Sequence, residues 1–178
     1  KAVHDGKALY VGISSYSPGD TACAKAILDD LGVPLTIHQP RYSMFDRTPE
    51  NGLFTELERI NVGAIVFSPL AQGLLTDRYF KGIPAGSRAS KEVFLHKNQV
   101  SEQYLEAALA LNEIASSRGQ NLAQMALSWT LRHGIVSSTL IGASSVEQLE
   151  GNLAAAGAKP FTAEELAAIE PLAIHGLG

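Results

Sequence analysis

The chain has 178 residues, 46% of them hydrophobic, and 14 basic against 18 acidic side chains give a net charge of −4. This is one-domain size with enough apolar material for a substantial core, and without any run of Lys or Arg it has no electrostatic footprint for nucleic acid or an anionic membrane. The single cysteine, Cys23, excludes an internal disulfide and, with no nearby Cys or His at ligand spacing, argues against a structural zinc site; among Ala22, Ala24 and Ala26 it is expected to be buried.

No apolar stretch approaches about 18 residues, and Lys1 to Lys7 lack a signal-peptide core, so a cytoplasmic location is expected. The chain opens without methionine on KAVHDGKALYVG, which reads as the tail of a helix entering a strand, so an upstream part is expected to be missing. Ala8 to Ile13 is a compact apolar run ending in Ser14, Ser15 and Tyr16, the pattern of a strand buried on both faces. Pro18, Gly19 and Asp20 open a helix that runs to Leu31 and is stopped by Gly32. The cycle repeats. Pro34 to Gln39 is a second strand, a connection through Arg41, Tyr42 and Arg47 leads to a helix from Gly52 to Ile60, and Gly63 to Phe67 is a third strand ending in Ser68-Pro69-Leu70. The insertion Gly73 to Ser90 is too long for a simple turn and is a candidate functional loop. Helices follow at Gln103 to Ser117 and Asn121 to His133, each with an apolar side that includes Leu111 in the first and Trp129 in the second. A fourth strand runs from Val136 to Ile141, a helix capped by Ser145 continues through Ala156, and Thr162 with Glu165 forms a capping box opening a helix to about Ala173.

Strands and helices alternate, the strands are apolar throughout, and polar residues collect just after them at Ser14-Ser15, Gln39, Ser68 and Gly142 to Ser144. Parallel strands joined by helices have this signature and bind ligands at their carboxyl ends. No glycine fingerprint follows the first strand, which favours barrel units over a dinucleotide-binding open sheet. A closed barrel needs eight strands, so the fold class is α/β, the second half of a (β/α)8 TIM barrel, with about four βα units plus carboxyl-terminal helices in one domain over residues 1–178. The turn IGASSVEQLEGN, Ile141 to Asn152, joins a strand end to a helix start; Ser145 and Gln148 have capping-box spacing, and the open amides of the first turn favour an anion. On residue type alone Ser14 and Ser15 are equally ordinary strand-end serines, Phe67 core, Arg88 a solvated surface charge and Gln148 a cap. The five histidines read as surface or satisfied structural groups, His38 included, and Trp129 as core.

Taken as a set and in order, GKALYVGISSYS, Gln39 followed by RYSMFDR, FSPLAQGLLTDRY, GSRAS, NLAQMALSW and IGASSVEQLEGN resemble the carboxyl-terminal half of the aldo-keto reductases. These are NADP(H)-dependent barrels that reduce carbonyls to alcohols. Within that family the detail is most similar to the bacterial L-glyceraldehyde-3-phosphate reductases, in the branch that also holds the potassium-channel β subunits. The resemblance implies that Ser14, Ser15 and Gln39 hydrogen-bond the nicotinamide carboxamide and that Phe67 stacks on its ring. It places Ser68, Pro69, Leu70, Gln72 and Gly73 over the pyrophosphate with Arg78 as a cation. Ser87 and Arg88 hold the pyrophosphate and the adenosine 2′-phosphate, so that Gly73 to Ser90 closes as a strap, and Gly142, Ser144, Gln148 and Asn152 receive adenosine and its 2′-phosphate.

A planar guanidinium suits a phosphate dianion, in keeping with NADPH over NADH. Gly151 departs from the glutamate that many relatives carry near the adenine, and Glu150, about 100° around the helix, does not replace it. The family's catalytic Asp, Tyr, Lys and His lie on earlier βα units, no tyrosine here falls in such a motif, and no catalytic residue is assigned. The implied parent is a reductase of small, possibly phosphorylated aldehydes such as glyceraldehyde 3-phosphate or methylglyoxal, with a homo-oligomer as one possible state. The chain by itself is expected to be inactive. The alternatives are a nucleotide-sensing regulatory subunit and an inactive half-barrel fragment.

Overall fold

The computed structural model describes residues 1–85, 87–91 and 100–173, with only the backbone at 88 and 91. Four strands, β1 (Val11–Ser14), β2 (Leu35–Gln39), β3 (Gly63–Val66) and β4 (Val136–Thr139), form one parallel sheet in the order β1-β2-β3-β4. Helix α1 (Pro18–Asp30) links the first pair and α2 (Leu53–Arg59) the second; α3 (Arg88–Lys91), α4 (Glu102–Ser117) and α5 (Leu122–Thr130) lie between β3 and β4. Then come α6 (Val146–Leu153) and α7 (Ala163–Ile169). Sequential parallel strands with helical crossovers are the unit of an eight-stranded barrel, and four strands are half of one. Among the described residues no helix is long and apolar enough to cross a membrane.

Local chemistry fixes the ends of these elements. The Ser17 hydroxyl accepts from the Asp20 amide at 3.1 Å and starts α1. Both halves of a capping box are present at Asn121–Gln124 and, as its spacing predicts, at Thr162–Glu165. At α6 the box is offset. Ser145 accepts from the Gln148 amide, but the Gln148 carboxamide oxygen takes the Ser144 amide at 2.8 Å, one residue earlier than expected.

The core lies on the helix side of the sheet. Ala64, Val66 and Val136 from the strands meet Leu57 of α2, Leu111 of α4 and Met125 and Trp129 of α5. Each large side chain fully buried there contributes roughly 1.5–3 kcal/mol. Within the Gly73 to Ser90 insertion Leu74, Leu75, Tyr79 and Ala89 are buried, and Asp77–Tyr79 makes a 3-10 turn. Three expectations are corrected. The strands are not buried on both faces, because the helices cover one side and Gly12, Ser14, Thr36, Ser137 and Ser138 stand exposed. On that open side Ile37 lies between Gly12 and Gly63 in register, and a Cβ at Gly12 would come within 2.7 Å of the Ile37 Cγ2. Cys23 is exposed, since α1 buries only Thr21.

His38 is the third correction, being neither a surface nor a satisfied histidine. It is fully buried on β2, and among the described residues neither ring nitrogen has a hydrogen-bond partner of normal geometry. Burial pushes its pKa below the ordinary 6.5, the Tyr16 backbone opposing in part. Because the unfolded chain binds this proton more readily, the neutral side chain's contribution is complete above pH 6.5 and is lost as pH falls below it. The loss approaches about 1.4 kcal/mol per unit of pKa difference. Melting temperatures followed from neutral to mildly acid pH should therefore fall less steeply in His38→Leu than in the parent chain; equal slopes would show that His38 does not carry the effect.

Candidate functional site

The carboxyl ends of the strands are where this backbone departs from regular geometry. Five described non-glycine residues have positive φ, and four of them, Ser15 (59°), Ser68 (55°), Ala71 (45°) and Gln72 (59°), follow β1 or β3. An L residue held left-handed costs of order 1–3 kcal/mol, and such positions cluster where loops are shaped for a ligand. Ser15 and Gln39 share one corner: the Ser14 hydroxyl donates to the Gln39 carbonyl at 2.8 Å and the Ser15 amide reaches the same oxygen at 3.2 Å. Phe67 follows β3 and bridges to Arg41, its amide donating to the Pro40 carbonyl at 3.1 Å.

Beyond β3 and β4 the same rim opens into a cavity of about 720 Å³. One wall is the turn from Ser68 to Gly73 with Arg78; the other runs from Leu140 through Gly142 and Ser144 to Gln148 and Asn152. Asn152 is 8% exposed, whereas Ser144 and Gln148 are held together by the offset cap, the Gln148 Oε1 also accepting the Ser144 hydroxyl at 3.1 Å. Gln72 donates to the Ser68 hydroxyl at 3.3 Å, tying that turn to itself. Arg78 is exposed and makes no ion pair among the described residues. The cavity thus offers hydroxyl, carboxamide, guanidinium and helix-start donors on its two walls, groups that suit a phosphate-bearing ligand.

Ten of the sixteen sequence-selected residues line it: Ser68, Pro69, Leu70, Gln72, Gly73, Arg78, Gly142, Ser144, Gln148 and Asn152. Ser14, Ser15, Gln39 and Phe67 lie outside the lining, at the carboxyl ends of the neighbouring strands. Ser87 is buried and accepts from the Ser90 amide at 3.2 Å, capping the short α3. The Arg88 side chain lies outside the described residues. Thr76, Asp77, Asn112, Asn121 and Glu147 also line the cavity and were not selected. Asn121 gave a capping signal only, and Asp77 and Glu147 are acidic neighbours of selected residues that an anion-site reading passes over.

A profile described as the aldo/keto reductase family matches residues 1–174. The chain belongs to the aldo/keto reductase family. It is 48% identical over 174 residues to the L-glyceraldehyde 3-phosphate reductase of Escherichia coli strain K12, covering 95% of this chain and 50% of that one. To a putative voltage-gated potassium channel subunit beta of Schizosaccharomyces pombe it is 34% identical over 159 residues, 86% of this chain and 46% of the other. Among solved structures it superposes on the aldo-keto reductase AKR11C1 from Bacillus halodurans, in its holo form, with a TM-score of 0.68 and 28% identity over 96% of this chain and 52% of that one. This family member therefore has the expected fold, half of a (β/α)8 barrel, and it spans about half the length of the curated relatives it matches.

Proposed function

We propose that this chain supplies the NADP(H)-binding part of an aldo-keto reductase that reduces small, possibly phosphorylated aldehydes. The observation that carries the reading is the trough between Ser68–Arg78 and Gly142–Asn152, whose volume of about 720 Å³ and mixed donors suit a phosphorylated dinucleotide. Similarity to the Escherichia coli reductase supports the aldehyde class.

When bound, the cofactor would supply a hydride to the carbonyl carbon. The chain's own residues would bind and orient: Ser14, Ser15 and Gln39 the carboxamide, Phe67 one face of the ring, Ser68 to Gly73 with Arg78 the pyrophosphate. Gly142, Ser144, Gln148 and Asn152 would take the adenosine end, with Ser87 and Arg88 at the phosphates. Asp77 and Glu147 work against anion binding at this rim, so Arg78 on the same lining, joined by Arg88 under this proposal, would have to outweigh them. No residue here is assigned as proton donor, and residues 1–178, read as one domain, are proposed to be inactive alone. A nucleotide-sensing role is the second reading, favoured by the similarity to the channel subunit.

Calorimetric titration with NADPH and NADH tests the cradle. Arg78→Ala should weaken both nucleotides, while Arg88→Ala should cost NADPH about tenfold or more and leave NADH unchanged, since only the 2′-phosphate distinguishes them. No NADPH binding, or equal loss of both nucleotides on Arg88→Ala, would remove the 2′-phosphate assignment.

A further inference from the structure

The segment NLAQMALSW, Asn121 to Trp129, belongs to the family resemblance yet supplies no residue to the cradle. Its apolar members are accounted for, since Leu122, Met125 and Trp129 are core. Gln124 is not. It is partly buried where the start of α5 meets α6, and both ends of its carboxamide are engaged. Its Oε1 accepts from the Asn121 amide at 3.1 Å, the Asn121 Oδ1 accepts from the Gln124 amide at 2.8 Å, and Nε2 donates to the Gly151 carbonyl at 2.9 Å. The capping box thus fixes the side chain that crosses to the neighbouring helix.

Gly151 lies in the last turn of α6, which closes at Leu153, and carbonyls there have run out of α-helical partners. A donor from α5 takes up this one. The Gly151 carbonyl belongs to the peptide unit that leads into Asn152, and that unit is planar, so holding its oxygen holds the Asn152 backbone. Asn152 is the one buried residue of α6, 8% exposed, and lines the trough, while its own carboxamide makes no hydrogen bond among the described residues. Its backbone therefore sets its aim.

We infer that Gln124 is a positioning residue for the adenosine end of the trough, acting through the Gly151 carbonyl on Asn152. The inference rests on the nucleotide reading of that trough and adds to it a residue that touches no ligand. Asn121, Leu122 and Ala123 belong to the lining, but Gln124 does not. An apolar side chain at 124 would leave the Gly151 carbonyl without its donor and free the last turn of α6 to shift, and hydrogen bonds from Asn152 to a ligand tolerate little displacement.

Calorimetric titration with adenosine 2′,5′-bisphosphate, which represents the adenosine end alone, tests this. Gln124→Met should weaken binding about tenfold, and so should Asn152→Ala. The double variant should bind no worse than Asn152→Ala, because a residue that acts through another adds nothing once that other is gone. A purely structural role would lower stability without this dependence. Gln124→Glu keeps the capping box but, ionised, has no proton to donate to Gly151. It should therefore retain a cooperative melt and show the same loss, measured against the parent at high ionic strength so that the added charge is screened. Unaltered affinity in either Gln124 variant, or losses that multiply to about a hundredfold in the double variant, would overturn the positioning role and leave the nucleotide site standing. A parent chain that binds neither the bisphosphate nor NADPH would instead remove the nucleotide reading itself, and the role of Gln124 with it.

Discussion

Replacing Glu50 with Ala should lower the unfolding free energy by about 3–5 kcal/mol, the range for removing one partner from a buried ion-pair network. The Glu50 carboxylate, 21% exposed, accepts from the Tyr42 hydroxyl at 2.5 Å, Arg132 Nη2 at 2.8 Å, and Arg47 Nε and Nη2 at 2.9 and 2.6 Å. Without it two guanidiniums, only 20% and 16% exposed, share one site with a phenol and lose the carboxylate that pairs with both. Burial alone would push the Glu50 pKa up; the His133 ring 3.7 Å away and the hydrogen bonds from Arg47, Tyr42 and Arg132 outweigh it and hold the carboxyl well below the usual range. Its folded pKa being depressed, its stabilisation is present above pH 4.5 and is lost as pH falls further. Chemical denaturation at neutral pH checks the magnitude. Glu50→Gln, which keeps an acceptor but not the charge, should lose less and show a flatter acid limb; an Ala variant within about 1 kcal/mol of the parent would mean that the network is surface-like.

Arg118→Ala should cost about 3 kcal/mol and release the carboxyl-terminal helix first. The Arg118 side chain, 5% exposed, ties three chain segments together. Its Nε donates to Gln120 Oε1 at 2.9 Å, Nη1 pairs with the Glu165 carboxylate and Nη2 donates to the Lys159 carbonyl at 2.6 Å, while the guanidinium lies 3.9 Å from the Phe161 ring centre. Lysine offers one ammonium in place of a planar fork, so Arg118→Lys should recover only part of the loss. Amide hydrogen exchange is the discriminating measurement. In the Ala variant α7 should lose protection ahead of α4 and α5, because Ile169 and Ala173 become its main remaining anchors. Uniform loss across the chain would mean that Arg118 supports the core as a whole.

Neither network was legible in the sequence, and the reason is distance along the chain. Arg47, Glu50, Arg132 and Glu170 meet across 123 positions, and Arg118 reaches Glu165 across 47, so no local pattern announces either pairing. What was legible was periodic or local: four apolar runs became four strands, and Thr162 with Glu165 became the capping box their spacing describes. Cys23 shows where local reading fails, since alanine neighbours indicate small side chains but not which flank of the sheet their helix faces. His38 shows the same on a strand, where a polar residue in an apolar run reads as a surface or satisfied group yet is buried with no hydrogen-bond partner among the described residues. The candidate site divided along the same line. The trough gathers the two turns that the sequence marked with Gly, Ser and Pro, but not the serines of β1 or Gln39, which belong to adjoining strands.

Trp129 is the one tryptophan of the chain and is 1% exposed, stacked on Tyr42 at 5.4 Å with the Arg132 guanidinium 3.3 Å from its ring centre. The molecule therefore carries a built-in optical reporter placed against the Glu50 cluster. Its indole emission should be blue-shifted in the folded state and should redden when acid or substitution loosens those arginines, giving a single-position spectroscopic readout without any added label.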